Sequence, residues 1–427
     1  MDSFAAAMPF VKVIGAFVLM LLGIRCKIGL SLSILLGGLF MGLVFGLSLG
    51  DCLKVGTTAL VQEKFLLLVA IVGAILILSD GLEKSGQSAR LMAALSGYLV
   101  QARLRLVFFP ALIGLLPMPG GAVFSAPMVK AVSAEMQLSN QERAMINHWF
   151  RHVWEMAWPL YPGIILTVAL ADIPIGAFIS RSWPGVIAMF LIGWFFFLRS
   201  GVLKTSRIES TVQVGARDAR LALKEGLPLI IAIVGAVGLE TILAKFAPHI
   251  PFEWGVITAL ILAILSNMIK NHLRLQFLYD VLRKKSLWSM LMVIAAIFIF
   301  KDIMGAAGIV TAMASGAGGG VALFAAAVFL PFLVGGVSGV TVAFVGATFP
   351  LLLGLLKSFG MEQNTIPFLI LGLFSGFTGV MISPIHICFV LTCNYFETEL
   401  LATWRRLVTP CICVATCGAG LFWLLLK

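Results

Sequence analysis

Apolar residues run almost without relief along this chain, and short polar clusters cut it into helices. Apolar stretches over residues 10–24, 28–49, 65–79, 173–198, 226–246, 252–269, 287–300 and 407–426 predict membrane spans. About 20 residues of helix cross a hydrocarbon core. Residues 88–100 differ. Leu91, Ala94, Leu95, Tyr98 and Leu99 share one helical face, flanked by Arg90 and Gln101, which predicts a helix lying in the interface. A small-residue stretch at 311–320 takes that place in the second half. The fold class is all-α and polytopic. Barrels are excluded, because the apolar runs are continuous rather than alternating.

The pattern is interrupted in matching places. Residues 115–128 read LLPMPGGAVFSAPM and residues 330–350 read LPFLVGGVSGVTVAFVGATFP. Both put Gly, Pro, Ser and Thr where a lipid-facing helix would carry Leu and Val. Hydrocarbon offers no water to a broken backbone, so irregular chain at that depth is buried in protein or lines a cavity. Residues 106–132 are too long for one crossing and too short for two, which predicts a re-entrant hairpin with its tip at 117–121. A second hairpin is expected over 321–356. Two broken helices follow the same logic. Residues 145–170 are interrupted by WPLYP at 158–162, and residues 366–391 by SPIH at 383–386. Proline removes helical hydrogen bonds in both.

Laid over one another, the halves keep their features in order. SDGLEKSG at 79–86 matches KDIMGAAG at 301–308, with Asp80 over Asp302; Gly120 falls over Gly335 and Pro159 over Pro384. The expected organisation is a first repeat over 1–198, a basic linker over 199–225 and a second repeat over 226–427. Each half then has an odd number of crossings, so the two are inverted relative to one another. Asp80 and Asp302 follow a span and are expected to cap it at the interface.

Composition changes little in this picture. Hydrophobic residues make up 60% of the chain and charged ones 11%, against about 25% charged in a soluble domain. The net charge of +11 does not point to nucleic acid, because Lys and Arg gather in a few short loops. Those loops hold Arg25, Lys27, Arg90, Arg103, Arg105, Arg405 and Arg406, with the stretches 199–225 and 270–285. Placing them in the cytoplasm puts both termini outside, and the expected location is a bacterial or archaeal inner membrane. The seven cysteines form no C-x-x-C pair and are expected to be buried apolar groups.

Candidate chemistry lies at the breaks. Hairpin tips and broken helices expose helix N-terminal N–H groups, which suit an anion. Pro119, Gly120, Gly121, Gly335, Gly336 and Gly339 let backbone approach a ligand, and Ser125, Ser338, Thr341 and His386 add polar contacts. An alternative for the glycines is close helix packing. Ion coupling is assigned to Arg151, His152, Glu155 and Ser383. His148, His152 and Glu155 share a helical face by spacing, and Arg151 reaches Glu155 at i+4. A fixed Arg151–Glu155 pair is the plainer alternative. H-x-x-x-H also suits zinc, but no further ligands can be placed from sequence, so no metal is assigned. No other cofactor is expected beyond a coupling proton or sodium ion.

Through PMPGGAVFSAP, NHWFRHVWEMAWPLYP and MISPIHICFVLT, and through the order of its elements, the chain resembles the ion transporter superfamily. That group includes gluconate, citrate and dicarboxylate permeases, and the resemblance is closest to an integral-membrane branch of unknown function. It implies a secondary transporter of a small organic anion, working by an elevator-like motion as a homodimer, and not an enzyme. The dicarboxylate members carry a Ser-Asn-Thr motif at their hairpin tips; here the tips read Pro-Gly-Gly and Gly-Gly-Val-Ser-Gly. A sodium/proton antiporter is the alternative. Ser338 with His386 also superficially resembles the dyad of an intramembrane serine protease.

Overall fold

The computed structural model describes residues 2–99, 101–115, 121–134, 136, 138–199, 218–247, 249–315 and 319–426. Among them there are helices and no strands, and ten helices are long and apolar enough to cross a membrane. The first half runs α1 (Asp2–Arg25), α2 (Leu30–Val44), α3 (Leu49–Ala59), α4 (Glu63–Lys84) and α5 (Gln87–Ser96). It continues with α6 (Ala102–Gly114), α7 (Ala122–Val132), α8 (Asn140–Arg151), α9 (Pro162–Ala171) and α10 (Ile175–Gly193). The second half repeats the order: α11 (Ala219–Phe246), α12 (Glu253–Lys270), α13 (Gln276–Leu282), α14 (Lys285–Ala306) and α15 (Ile309–Ala314). Then come α16 (Gly319–Phe324), a π turn, α17 (Leu330–Ser338), α18 (Thr341–Ser358), α19 (Thr365–Met381), α20 (Ile387–Tyr395) and α21 (Leu400–Leu425).

Packing between the halves is exchanged as in a two-fold pair. Helix α2 packs on α14, and its counterpart α12 packs on α4; α9 packs on α18, and α20 on α7. The same exchange appears in single bonds. Lys284 pairs with Asp80, and Gln62 Nε2 donates to Asp302 at 2.6 Å. Lys284 and Gln62 each precede the first turn of their helix, α14 and α4. The aspartates therefore tie the halves together from inside α4 and α14 instead of capping a span. Gly86 and Gly308, at φ +67° and +63°, open α5 and α15, a left-handed backbone that glycine adopts at no steric cost.

Several spans differ from the apolar runs. The second stops at Val44, residues 45–48 turn, and the polar stretch after them, between the expected spans 28–49 and 65–79, forms α3. That helix starts because Ser48 and Asp51 make a reciprocal capping box, which also holds the exposed Asp51 carboxyl below its usual range. Polar residues 80–84 stay helical inside α4. Residues 276–282, expected as loop, form α13. Of the basic linker, 200–217 lie outside the described residues, and 219–225 already belong to α11. Arg90 and Lys270 both reach Glu225, and Arg90 also meets Asn271. The basic loops around 90, 225 and 270 therefore share one end of the molecule.

The second hairpin forms and turns within the expected Gly-Gly-Val-Ser-Gly tip, at its last residue and not at the Gly-Gly pair. Helix α17 continues through Gly335 and Gly336 and turns at Gly339, φ +64°. Helices start at Ala122, after Gly121, and at Thr341, after Val340, so the counterpart of Gly121 is Val340; the rest of the expected first tip, 117–120, lies outside the described residues. Gly335 lies against the Gly376 carbonyl of α19, where any Cβ would collide. Here the packing alternative describes what the glycine does. Gly335→Val is expected to destabilise the fold by about 1–3 kcal/mol through overpacking. Gly305→Ala, where nothing lies within 4 Å of the new Cβ, should leave stability unchanged or raise it by up to about 1 kcal/mol. Thermal unfolding in detergent measures both; a Gly335→Val protein as stable as its parent would contradict this packing.

Candidate functional site

Helix α8 is buried from Ala144 to Arg151, which is unusual for a segment reading AMINHWFR. Such burial requires that its polar groups find partners. Asn147 Nδ2 donates to the Ala122 carbonyl (3.2 Å) and to Thr392 Oγ1 (3.1 Å) of the other half. Trp149 Nε1 donates to the Met189 carbonyl at 2.9 Å. The helix ends at Arg151, and Val153–Met156 makes a 3-10 turn. Trp154 and Trp158 then donate their indole N–H groups to the carbonyls of Ala111 (2.8 Å) and Leu115 (2.9 Å). Those carbonyls end α6 without helical partners, so the break in one element closes the end of another. Pro162 restarts the helix as α9, where its missing N–H costs nothing.

The second break is built alike. Helix α19 ends at Met381, Trp404 Nε1 donates to the Ile382 carbonyl at 2.5 Å, and α20 starts at Ile387. His386 precedes α20 as Tyr161 precedes α9. Its Nδ1 lies 2.6 Å from the Gly339 carbonyl at the hairpin turn. A Cβ on Gly339 would sit 2.9 Å from His386 Cα, so the turn and the break touch through backbone.

Between them lies a cavity of about 150 Å³, lined from both halves by Arg151, His152, Glu155, Tyr161, Pro162, Met290, Gly339–Val342 and His386–Cys388. Glu155 Oε2 accepts from Thr341 Oγ1 at 2.9 Å, and the Tyr161 hydroxyl bonds the same carboxyl. Glu155 Oε1 stands 3.7 Å from His152 Nε2, and His152 Nε2 lies 3.0 Å from His386 Nε2. The first turns of α9, α18 and α20 all open on this space. Aligned helix dipoles place partial positive charge there. Arg151, 5% exposed, adds a full one; its guanidinium covers Gly121, whose Cβ would fall 3.0 Å from Cζ.

Of the residues expected at the site, Arg151, His152, Glu155, Gly339, Thr341 and His386 meet in this cavity. Gly121 stands behind Arg151. Pro119 and Gly120 lie outside the described residues. Ser125 is buried one turn into α7, bonded to the Ala122 carbonyl, away from the cavity. Ser338 shapes the hairpin turn, exchanging bonds of 3.3 and 3.4 Å with Val340 backbone. Gly336 lines a separate groove with Val18, Pro384 and Ile385. Ser383 is buried beside Pro384 and does not line the cavity. His386 uses its nitrogens on Gly339 and His152, and Ser338 Oγ bonds elsewhere, so the two make no hydrogen bond. Tyr161, Cys388 and Met290 were not anticipated. Tyr161 had a signal, since the 225-residue offset that superposes Pro159 on Pro384 also superposes Tyr161 on His386.

The sequence profile of a family described as a protein of unknown function (DUF401) matches residues 10–426. No protein of curated function matches the chain. The family match supports the uncharacterised branch of the resemblance and is silent on the wider superfamily.

Thr341→Val is expected to leave one oxygen of the buried Glu155 carboxyl short of a donor, at a cost of about 1–3 kcal/mol. In a Glu155→Gln background the same change should cost less. A double-mutant cycle on thermal or denaturant unfolding should give a coupling of about 0.5–3 kcal/mol. Additive effects would mean that the bond between the halves is not made.

Proposed function

Since the chain belongs to the DUF401 family, described as of unknown function, we propose from its own cavity that it is a secondary active transporter of a small organic anion, a carboxylate. The observation that carries this reading is the convergence of three helix N-termini and the buried Arg151 on one cavity, shared by two broken helices and a hairpin turn. Broken helices whose N-termini face an anion are how transporters build sites between repeats. A guanidinium presents two parallel N–H donors that match a carboxylate. The volume of about 150 Å³ equals that of a cavity that takes a benzene-sized guest, which favours a cargo of roughly six non-hydrogen atoms. Ionisable groups this deep in a membrane protein mark a pathway by default.

Alternating access would move the hairpins and broken helices (α6–α9 and α16–α20) as a body against α1, α2, α4, α11, α12 and α14. The first group packs within itself by exchange between halves, and so does the second. The motion is of elevator type, driven by a proton or sodium gradient, in a homodimer like that of the ion transporter superfamily. The inner membrane of a bacterium or archaeon is the proposed location, and no enzymatic step is proposed.

Small carboxylates should raise the melting temperature of the purified protein by mass action, and Arg151→Gln should abolish the shift while Arg151→Lys keeps part of it. Proteoliposomes should take up the same carboxylate down an imposed ion gradient. Sodium movement against a pH gradient with no organic anion present would overturn this reading in favour of a sodium/proton antiporter. A second expectation concerns topology: both termini face outward, because the basic loops sharing one end are cytoplasmic. A reporter fused after Lys427 should be active only if it folds outside the cytoplasm; activity of a cytoplasm-only reporter there would reverse the orientation.

A further inference from the structure

We propose that His148, His152 and His386 hold a divalent transition-metal ion of the zinc class. One nitrogen of each ring lies within 4.8 Å of the others, and all three residues are buried. Two come from the end of α8 and the third from the head of α20, so the cluster exists only where the halves meet. H-x-x-x-H in sequence offers two imidazoles on one face; the fold supplies the third.

Tautomers give the first argument. A backbone carbonyl can only accept, so His152 Nδ1, 2.6 Å from the His148 carbonyl, must carry its hydrogen. His386 Nδ1 must do so too, 2.6 Å from the Gly339 carbonyl. In each neutral ring the other nitrogen then presents a lone pair. Those two lone pairs, on Nε2 of His152 and Nε2 of His386, face each other at 3.0 Å. Two acceptors that close repel unless a cation stands with them. Imidazoles that donate through one nitrogen to a carbonyl while the other points at a shared centre are the usual setting of metal-ligating histidines.

His148 gives the second, independent argument. It is 0% exposed; one ring nitrogen is held by Met381 backbone, and the other has no partner in the protein. A buried polar group without a partner requires an explanation. A proton shared between His152 and His386 would satisfy those two and leave His148 as it is; a metal ion engages all three. Imidazole donors suit zinc, copper, nickel or iron, whereas magnesium and calcium prefer oxygen. Arg151 opposes a cation here, but the Glu155 carboxyl stands 3.7 Å from His152 Nε2 and supplies the offsetting charge. The site does not depend on which cargo the cavity carries.

The test uses the full-length protein in detergent, purified without a histidine tag, stripped with a chelator and titrated with Co²⁺ and then Zn²⁺. One equivalent of Co²⁺ should bind per chain, with visible d–d bands of a low-symmetry nitrogen site, and Zn²⁺ should displace it. Zn²⁺ should also raise the melting temperature. His148→Gln and His386→Gln should each weaken binding by more than the roughly 10–100-fold typical of an outer-sphere change. If either variant fails to fold, the wild-type titration still decides. No stoichiometric uptake by folded wild-type protein would overturn the proposal and leave the shared proton as the account of His152 and His386. Binding that survives His148→Gln, or a spectrum dominated by thiolate charge transfer, would also overturn it.

Discussion

A helix interrupted inside a membrane leaves carbonyls and N–H groups that no water can reach, and every such group has to be served by protein. The arrangement around both interruptions follows from that demand. Indole N–H groups of Trp154, Trp158 and Trp404 close the carbonyls of Ala111, Leu115 and Ile382. Histidine nitrogens close those of His148 and Gly339. Once the carbonyls are committed, what remains pointing inward is acidic or basic side chain, helix N-terminus and imidazole lone pair. The chemistry of the cavity is thus a by-product of how the breaks are sealed.

Much of this was legible along the chain because prolines and glycines disturb an apolar pattern conspicuously. The interruption around Pro384 and the repeated order could be read directly, and so could the existence of the first interruption, although it opens already after Arg151 and ends before Pro162. Which glycine of the second tip turns the chain could not be read this way. A Gly-Gly pair reads the same whether it turns the chain or lets two helices touch, and only the Gly376 carbonyl beside Gly335 decides. Helix α3 was hidden for the opposite reason: its polar residues resembled a loop, and a capping box outweighed them.

The site itself was half legible. Arg151, His152 and Glu155 stood out as ionisable groups in an apolar setting, and His386 by its place at a break. Their grouping with Thr341 and Tyr161 is a product of tertiary structure. The i, i+4, i+7 argument brought His148, His152 and Glu155 together on an unbroken helix, whereas α8 ends at Arg151 and a 3-10 turn carries Glu155. Two different geometries deliver the same neighbours, so the spacing pointed to the right residues without describing the path of the chain.

The exchanged packing of α2 on α14 has a consequence for how the protein is made. Gly38 fits against Phe300 and Gly42 against Ile303, both on a helix that is translated some 250 residues later. During synthesis at roughly 5–20 residues per second, the glycine-lined side of α2 has no partner for on the order of ten seconds or more. Until α14 arrives, α2 must stand in lipid or beside the insertion machinery, and a ribosome stalled between the halves would leave that surface uncovered. The nascent chain is therefore open to capture by any helix with a matching bulky face, a hazard that exists only before the second half is complete.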